Sequence, residues 1–259
     1  MEMDFHAERY IKRPDIRVLH TERTASTNTD ALRLAREGEE EGLLLIAREQ
    51  TGGRGRLGRR FHSPGGTGLY MSMLLRPRCT AEETLLLTPM AAVAVAEALE
   101  TVCGVSAGIK WVNDIVWNGK KICGILTEAL YGTGNGPDAV VVGIGLNLAA
   151  PPTGFPEEIA SIAGAVYEGE CPDGTVAPRL TAEIWERFFA YYRGEAERAF
   201  QLGYRRRQIL TGRRIFVLRD GETVPATALG VDDRCGLTVR YEDQRVETLT
   251  CGEVSVRPA

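Results

Sequence analysis

"IKWVNDIVWNGKKICGILTEAL", residues 109–130, holds the turn on which the fold of this chain depends. Asn118-Gly119 stands between two apolar runs, "IKWVNDIVW" and "KKICGILTEAL". A type I′ turn needs positive φ at both central residues, and Asn-Gly supplies it at low cost, so the pair predicts a hairpin. Working outward, "DAVVVGIGLNL" (138–148) continues the strand-rich stretch after the loop "YGTGNGPD". Upstream, "GLLLIARE" (42–49) and "GGTGLYMSMLLRP" (65–77) are short apolar runs bounded by glycine or proline, which read as buried strands.

Helices frame this sheet. In "RTASTNTDALRLAREG" (23–38), a Ser/Thr run feeds Ala31, Leu32, Leu34 and Ala35, and Gly38 suits the end. "TAEETLLLTPMAAVAVAEALETVCG" (80–104) is the strongest helical segment. Thr80 and Glu83 form a capping box, Gly104 closes the end, and Pro89 predicts one continuous but bent helix. Helical character returns at "PRLTAEIWERFFAYYRGEAERAF" (178–200). From Thr211 the pattern changes to short strands such as "RIFVLRDG" and "GLTVRYED", punctuated by Gly and Asp. The expected division is a main domain over 1–210, with 1–15 a short extension, and a small all-β domain over 211–259. A β unit of that size is at the lower limit of independent stability, so it is expected to pack on the main domain.

Bulk properties narrow the function classes. At 259 residues, 44% hydrophobic and 25% charged, the chain can bury a sizeable core. Its net charge of -4 gives no bulk attraction for nucleic acid or anionic membrane. No stretch reads as the roughly 20 apolar residues of a membrane span, and the N-terminus lacks a secretory pattern. Six scattered cysteines without a C-x-x-C pair read as reduced thiols, hence a cytoplasmic protein. The histidines at 6, 20 and 62 form no ligand spacing, so neither bound zinc nor haem is expected.

Four polar stretches remain. "TGGRGRLGRRF" (51–61) carries Arg54, Arg56, Arg59 and Arg60 among glycines. Guanidinium forks match phosphate and carboxylate oxygens, and glycine lets backbone approach a ligand. The loop can equally be a solvated turn or an RNA-binding glycine-arginine segment. Lys110, on a strand opposite in direction to Ile109 and Trp111, is a surface charge or a point cation for a phosphate. Asn113-Asp114 beside it are common turn residues as well as polar ligands. "STN" (26–28) is a helix cap or a set of donors and acceptors for a small polar head group. "GIGLN" (143–147) ends a strand with two glycines, which marks close backbone approach. No helix follows it, which excludes a dinucleotide fingerprint, and no GxxxxGK[ST] is present.

In order, "STN", "EQTGGRGRLGRRFHSP", "KWVND", "KICGILTE", "GIGLN" and a terminal "GEVSVRP" resemble the series found in the biotin protein ligase family. The resemblance implies an α+β fold: a mixed β-sheet flanked by helices, class II synthetase-like, with a small C-terminal SH3-like β-barrel. It implies an ATP- and Mg²⁺-dependent enzyme that makes biotinyl-5′-AMP and passes biotin to a lysine of a biotin carboxyl carrier domain. A lipoate or octanoate ligase or transferase of the related fold is the alternative. By motif matching, Ser26, Thr27, Asn28 and Gln50 hold biotin, and Arg54, Gly55 and Arg56 close over it. Gly124 lets backbone approach biotin. Lys110 meets the carboxylate and α-phosphate, with Arg56 as its catalytic partner. Arg54, Arg56, Phe61, Asn113 and Asn147 contact the nucleotide. The metal ligands are not assigned. Val112 stands where the family usually has proline. About 20 residues precede the matching region, so the expectation is a monofunctional ligase, not a DNA-binding repressor, free of membrane and forming a homodimer.

Overall fold

The computed structural model describes residues 6–196, 199–219, 222–250 and 253–255. The larger part is built on a seven-stranded mixed sheet. Its strands are β1 (Arg17–Thr24), β2 (Leu43–Gln50), β3 (Gly68–Leu75), β4 (Gly108–Lys110), β5 (Asp114–Trp117), β6 (Lys120–Tyr131) and β7 (Pro137–Asn147). The order is β1-β2-β3-β7-β6-β5-β4, with β1 and β2 parallel and every other pair antiparallel. Helix α1 (Thr27–Arg36) makes the crossover between the parallel strands.

Alternation along the strands sorts the two faces. Val140, Val142 and Ile144 join the main core, whereas Ala139 and Val141 pack with Ala31, Leu32 and Ala35 of α1. The main core also contains α2 (Leu87–Cys103) and α4 (Val176–Tyr192), with α5 (Ala199–Arg207) against α2. Strands covered on both faces need apolar residues at consecutive positions, which is why "LLLI", "LYMSMLL" and "VVV" do not alternate. One further helical turn, α3 (Glu157–Ala160), lies between β7 and α4.

The predicted hairpin forms at Asn118-Gly119, with φ of 49° and 74° and Trp117 paired with Lys120. The helix near Pro89 is an unbroken helical run over Glu83–Cys103. It begins as a 3₁₀ turn at Glu83–Leu86, becomes α-helical at Leu87, and so keeps Pro89 in the first α turn, where a missing N–H costs least. Thr80 and Glu83 exchange the hydrogen bonds of a capping box, and Gly104 closes the helix at φ 68°. This run corrects the expectation about membrane-length segments, because by length and composition it could cross one. Its apolar residues from Ala91 to Leu99 are instead almost wholly enclosed by the sheet and by α4 and α5.

Two expectations about local structure change. "IKWVNDIVW" is not one strand but β4 and β5 joined by a tight turn at 111–113, with Lys110 paired to Asp114. The Trp111–Val112 peptide in that turn is cis. The small C-terminal part is a five-stranded antiparallel sheet of β8 (Arg214–Arg219), β9 (Glu222–Val231), β10 (Leu237–Tyr241), β11 (Val246–Leu249) and β12 (Glu253–Ser255). Its order is β11-β10-β9-β8-β12, and among the described residues no pairing joins β11 to β12 into a closed barrel. Its apolar face is continuous with the main core. Trp111 Nε1 donates to Cys235 O at 3.0 Å across the junction. Of the terminal "GEVSVRP" motif, only 253–255 lie within the described residues.

Candidate functional site

Pairing of β6 with β7 sets Gly124 opposite Gly145 and Leu126 opposite Gly143. On the α1 face of the sheet these glycines leave space where side chains would stand. A Cβ on Gly143 would lie 1.9 Å from Asn28 Oδ1, and one on Gly145 would lie 2.6 Å from Phe61 Cε1. Asn28 and Phe61 thus lie directly on the glycines, and with them line a cavity of about 270 Å³ roofed by the arginine loop. Ser26, Thr27, Asn28, Gln50, Arg54, Gly55, Arg56, Phe61, Lys110, Asn113, Gly124 and Asn147 all line it. Every residue singled out from the motifs thus meets at one place, although they come from α1, β2, the arginine loop, the β4–β5 turn, β6 and β7.

One end of the cavity is a neutral hydrogen-bond network. Ser26 to Asn28 begin α1, yet Ser26 makes no side-chain cap bond. The N–H of Thr27 donates instead to Gln50 Oε1 at 2.9 Å, so a side chain from the neighbouring strand satisfies one of the helix's unpartnered donors. Thr27 Oγ1 lies 3.1 Å from the same oxygen. Gln50 Nε2 donates to Ser63 Oγ at 3.1 Å. Ser72, fully buried on β3, places its hydroxyl 2.7 Å from Thr27 Oγ1 and 2.6 Å from Asn28 Oδ1.

The arginine loop is a small hairpin. Bridges join Gln50 with Ser63 and Arg54 with Arg60, and Phe61 N donates to Gly53 O. At its tip Leu57 and Gly58 adopt φ of 56° and 72°, which leaves Leu57 exposed. Arg54 pairs with Glu128 and reaches Thr29 Oγ1 at 3.2 Å. Arg56 donates to Asn113 Oδ1 at 3.3 Å. The Phe61 ring rests on the Gly124–Gly145 floor. Arg59 and Arg60 also face the cavity rather than solvent alone.

The opposite end is cationic. Lys110 and Lys121 line it, with Lys121 Nζ 2.6 Å from Oδ1 of Asp114, the residue paired with Lys110. Asn113 is held by reciprocal bonds with Ile125: its Nδ2 donates to Ile125 O at 2.9 Å, and Ile125 N donates to Asn113 O at 3.0 Å. Tyr204, buried from α5, donates to Val112 O at 3.0 Å, and burial pushes its phenol well above the ordinary range, so it stays a donor. Asp114 is the single carboxylate among the described lining residues, against two lysines and four arginines. A surplus of cations around one cavity favours an anionic occupant.

Sequence reasoning missed Ser63, Ser72, Lys121 and Glu128. Ser72 had a signal, a polar residue inside the apolar run "LYMSMLL". Lys121 and Glu128 had none beyond their place in "KICGILTE". The histidine reading also changes. His6 and His20, far apart in sequence, both contact Glu8, at 2.8 and 3.1 Å, in an exposed group that could hold a metal ion. None of these three residues lines the cavity.

A family model for the Biotin/lipoate A/B protein ligase family matches residues 20–147, and one for the Biotin protein ligase C terminal domain matches 210–257. A biotin--[acetyl-CoA-carboxylase] ligase from Mycobacterium tuberculosis is 31% identical over 220 residues, covering 82% of this chain and 78% of that protein. A bifunctional ligase/repressor BirA from Bacillus subtilis is 42% identical over 144 residues, covering 56% of this chain. The match spans 44% of that relative's length. A solved biotin protein ligase from Aquifex aeolicus, in complex with biotin and ATP, superimposes with a TM-score of 0.75 at 27% identity, over 93% of this chain and 99% of that one.

Proposed function

This chain belongs to the biotin protein ligase family, and on that premise we propose that it is an ATP-dependent ligase that activates biotin as biotinyl-5′-AMP and transfers it to a lysine of a biotin carboxyl carrier domain. The observation that carries the reading is the division of one cavity into a neutral, hydrogen-bonded end and a cationic end. Biotin has the same division, an uncharged ureido ring and a carboxylate.

In this reading Ser26, Thr27, Asn28 and Gln50 hold the ring, with Gly124 giving it access to the sheet. The carboxylate points toward Lys110 and Lys121, and ATP enters beside Asn113, Asn147 and the loop arginines. A carboxylate oxygen attacks the α-phosphorus, the bond to the β-phosphate oxygen breaks, and pyrophosphate leaves. Both reactants are anions, so bringing them into line needs cations fixed in advance, which Lys110, Lys121 and Arg56 supply. No protein nucleophile is required. In the second step the acceptor amine attacks the acyl carbon, AMP leaves, and the amine loses a proton, for which Asp114 is the candidate acceptor. Arg54, Gly55 and Arg56 shield the mixed anhydride from water, and Phe61 offers a face for adenine.

Magnesium ions are held mainly by nucleotide phosphates with one or two carboxylates. Asp114 is the one carboxylate in the described lining and is paired with Lys121, and Asn113 Oδ1 accepts from Arg56, so nucleotide phosphates would supply most of the ion's ligands, with Asp114 and the Asn147 amide oxygen the candidates from the protein. When bound, the ion would neutralise phosphate charge.

The test is mass spectrometry of a carboxyl carrier domain incubated with the protein, biotin and MgATP. A mass gain of one biotinyl group on one lysine is the expected result. ATP–pyrophosphate exchange stimulated by lipoate and not by biotin would overturn the reading in favour of a lipoate-handling enzyme.

A further inference from the structure

We infer that Glu128 is a positioning residue for the biotin end of the cavity, acting as a latch that ties the arginine loop to the pocket floor. The inference rests on the ligase reading for its substrate but on geometry alone for the latch.

Glu128 lies on β6, and its carboxylate divides its oxygens between two partners. Oε2 accepts from Asn28 Nδ2 at 2.9 Å, and Oε1 accepts from Arg54 Nη2. Only a fifth of the Glu128 side chain is exposed, against 44% for Arg54, so this pair is sheltered on the carboxylate side. A half-exposed ion pair has modest intrinsic worth. Its importance is where it sits. From Arg54 the contacts run through Glu128, Asn28, Ser72, Thr27, Gln50 and Ser63 to the carbonyl of Phe61. The network begins and ends on the arginine loop, at its two stems, and crosses the pocket floor between them.

A carboxylate also fixes the direction of these bonds. It only accepts, so Asn28 must turn its amide hydrogens toward Glu128 and Leu126 O and its oxygen toward Ser72. Ser72 is then obliged to donate to Asn28, and the hydroxyl of Thr27 is left to serve Ser72, Gln50 or a ligand. A glutamine at 128 can donate or accept, and only the longer bond to Leu126 O, at 3.2 Å, then opposes a flip of Asn28. The loop stem and the substrate's hydrogen-bond partners are thereby tied to the same carboxylate.

Glu128→Gln preserves size and removes that charge. With the fold intact (melting temperature within about 4 °C), KM for biotin in ATP–pyrophosphate exchange should rise about tenfold while kcat changes less than about twofold, the pattern of lost ground-state positioning. Trypsin cleavage within 54–60 of the ligand-free protein should accelerate about fivefold, as a locally less stable loop requires. Arg54→Gln should raise KM for biotin similarly, and the double variant should be no worse than the poorer single one, because both remove one coupled unit. Wild-type KM and wild-type cleavage in Glu128→Gln would overturn the inference, as would fully additive effects in the double variant. Should Glu128→Gln fail to fold, Arg54→Gln carries the same test by the same criteria. Absence of biotin-dependent exchange in the wild-type protein would sink the ligase reading instead, and the cleavage comparison would still decide the latch.

Discussion

The two ends of the cavity are built by opposite means. At the neutral end, Thr27, Asn28, Gln50, Ser63 and Ser72 are joined in one hydrogen-bond network, which Asn28 extends to Leu126 O and Glu128, and Ser72 and Asn28 are buried. At the cationic end Lys121 meets Asp114 and Arg56 meets Asn113, and the described lining of the cavity carries one carboxylate against two lysines and four arginines. On the proposed function, the difference matches what each end would recognise. A neutral polar group is selected by geometry, because an unpaired buried donor costs about 1–3 kcal/mol. An anion is selected by uncompensated charge, which is tolerable only where solvent still reaches the site.

Variants at the cationic end should show the larger effects. Lys121→Ala and Lys110→Ala are each expected to lower biotin-dependent ATP–pyrophosphate exchange by about 100- to 1000-fold in kcat, as loss of one transition-state donor does, with the circular-dichroism melt little changed. If Lys110→Ala retains near-normal exchange and Lys121→Ala does not, the catalytic role belongs to Lys121 alone. Next comes Gly143→Ala at the neutral end. Its Cβ would fall 1.9 Å from Asn28 Oδ1, so Asn28 must leave its site. Overpacking of this kind costs about 1–3 kcal/mol, and calorimetry should show weakened biotin binding together with a lower melting temperature.

Thr27→Val leaves Gln50 and Ser72 each short of a partner. KM for biotin should rise about tenfold with kcat nearly unchanged, since the loss is uniform binding; an equal fall in kcat would mean that the neutral end also shapes the transition state. Phe61→Ala should raise KM for ATP about fivefold, the scale of one lost ring contact. The smallest effect concerns stability. Burial raises the phenol of Tyr70 from 10.0 to about 12. Its folded value is above its unfolded value, so its contribution is complete below pH 10 and is lost as pH climbs toward 12. Melting curves across that range should show the decline, and Tyr70→Phe should make it shallower.

Local rules account for the elements that could be read in advance. Asn118-Gly119, the Thr80–Glu83 capping box and Gly104 each act within four residues, so their conformations are encoded where they stand. The alternating glycines of "VVVGIGLN" were legible too, because a strand's period of two sends both to one face. The turn inside "KWVND" was not. Apolar neighbours make it look like strand, while the bonds that hold it come from Ile125 and Tyr204, 12 and 92 positions away from their partners. Glu128 was hidden for a related reason: a carboxylate on a strand reads as a solvated charge until Asn28, 100 residues earlier, is folded against it.

By itself, then, the sequence determined most of the strands, though not β1 or the break between β4 and β5, together with the hairpin, the long apolar helix and the set of motif residues, since periodicity and backbone preference are local properties. Only the tertiary structure decided that Lys121 and Lys110 line one cavity, that His6 meets His20 over Glu8, that Phe61 lies on paired glycines, and that the two stems of the arginine loop are joined through the pocket floor. Those arrangements depend on which strands become neighbours. That choice is made by burying both faces of the sheet, a property of the whole chain that no short stretch contains.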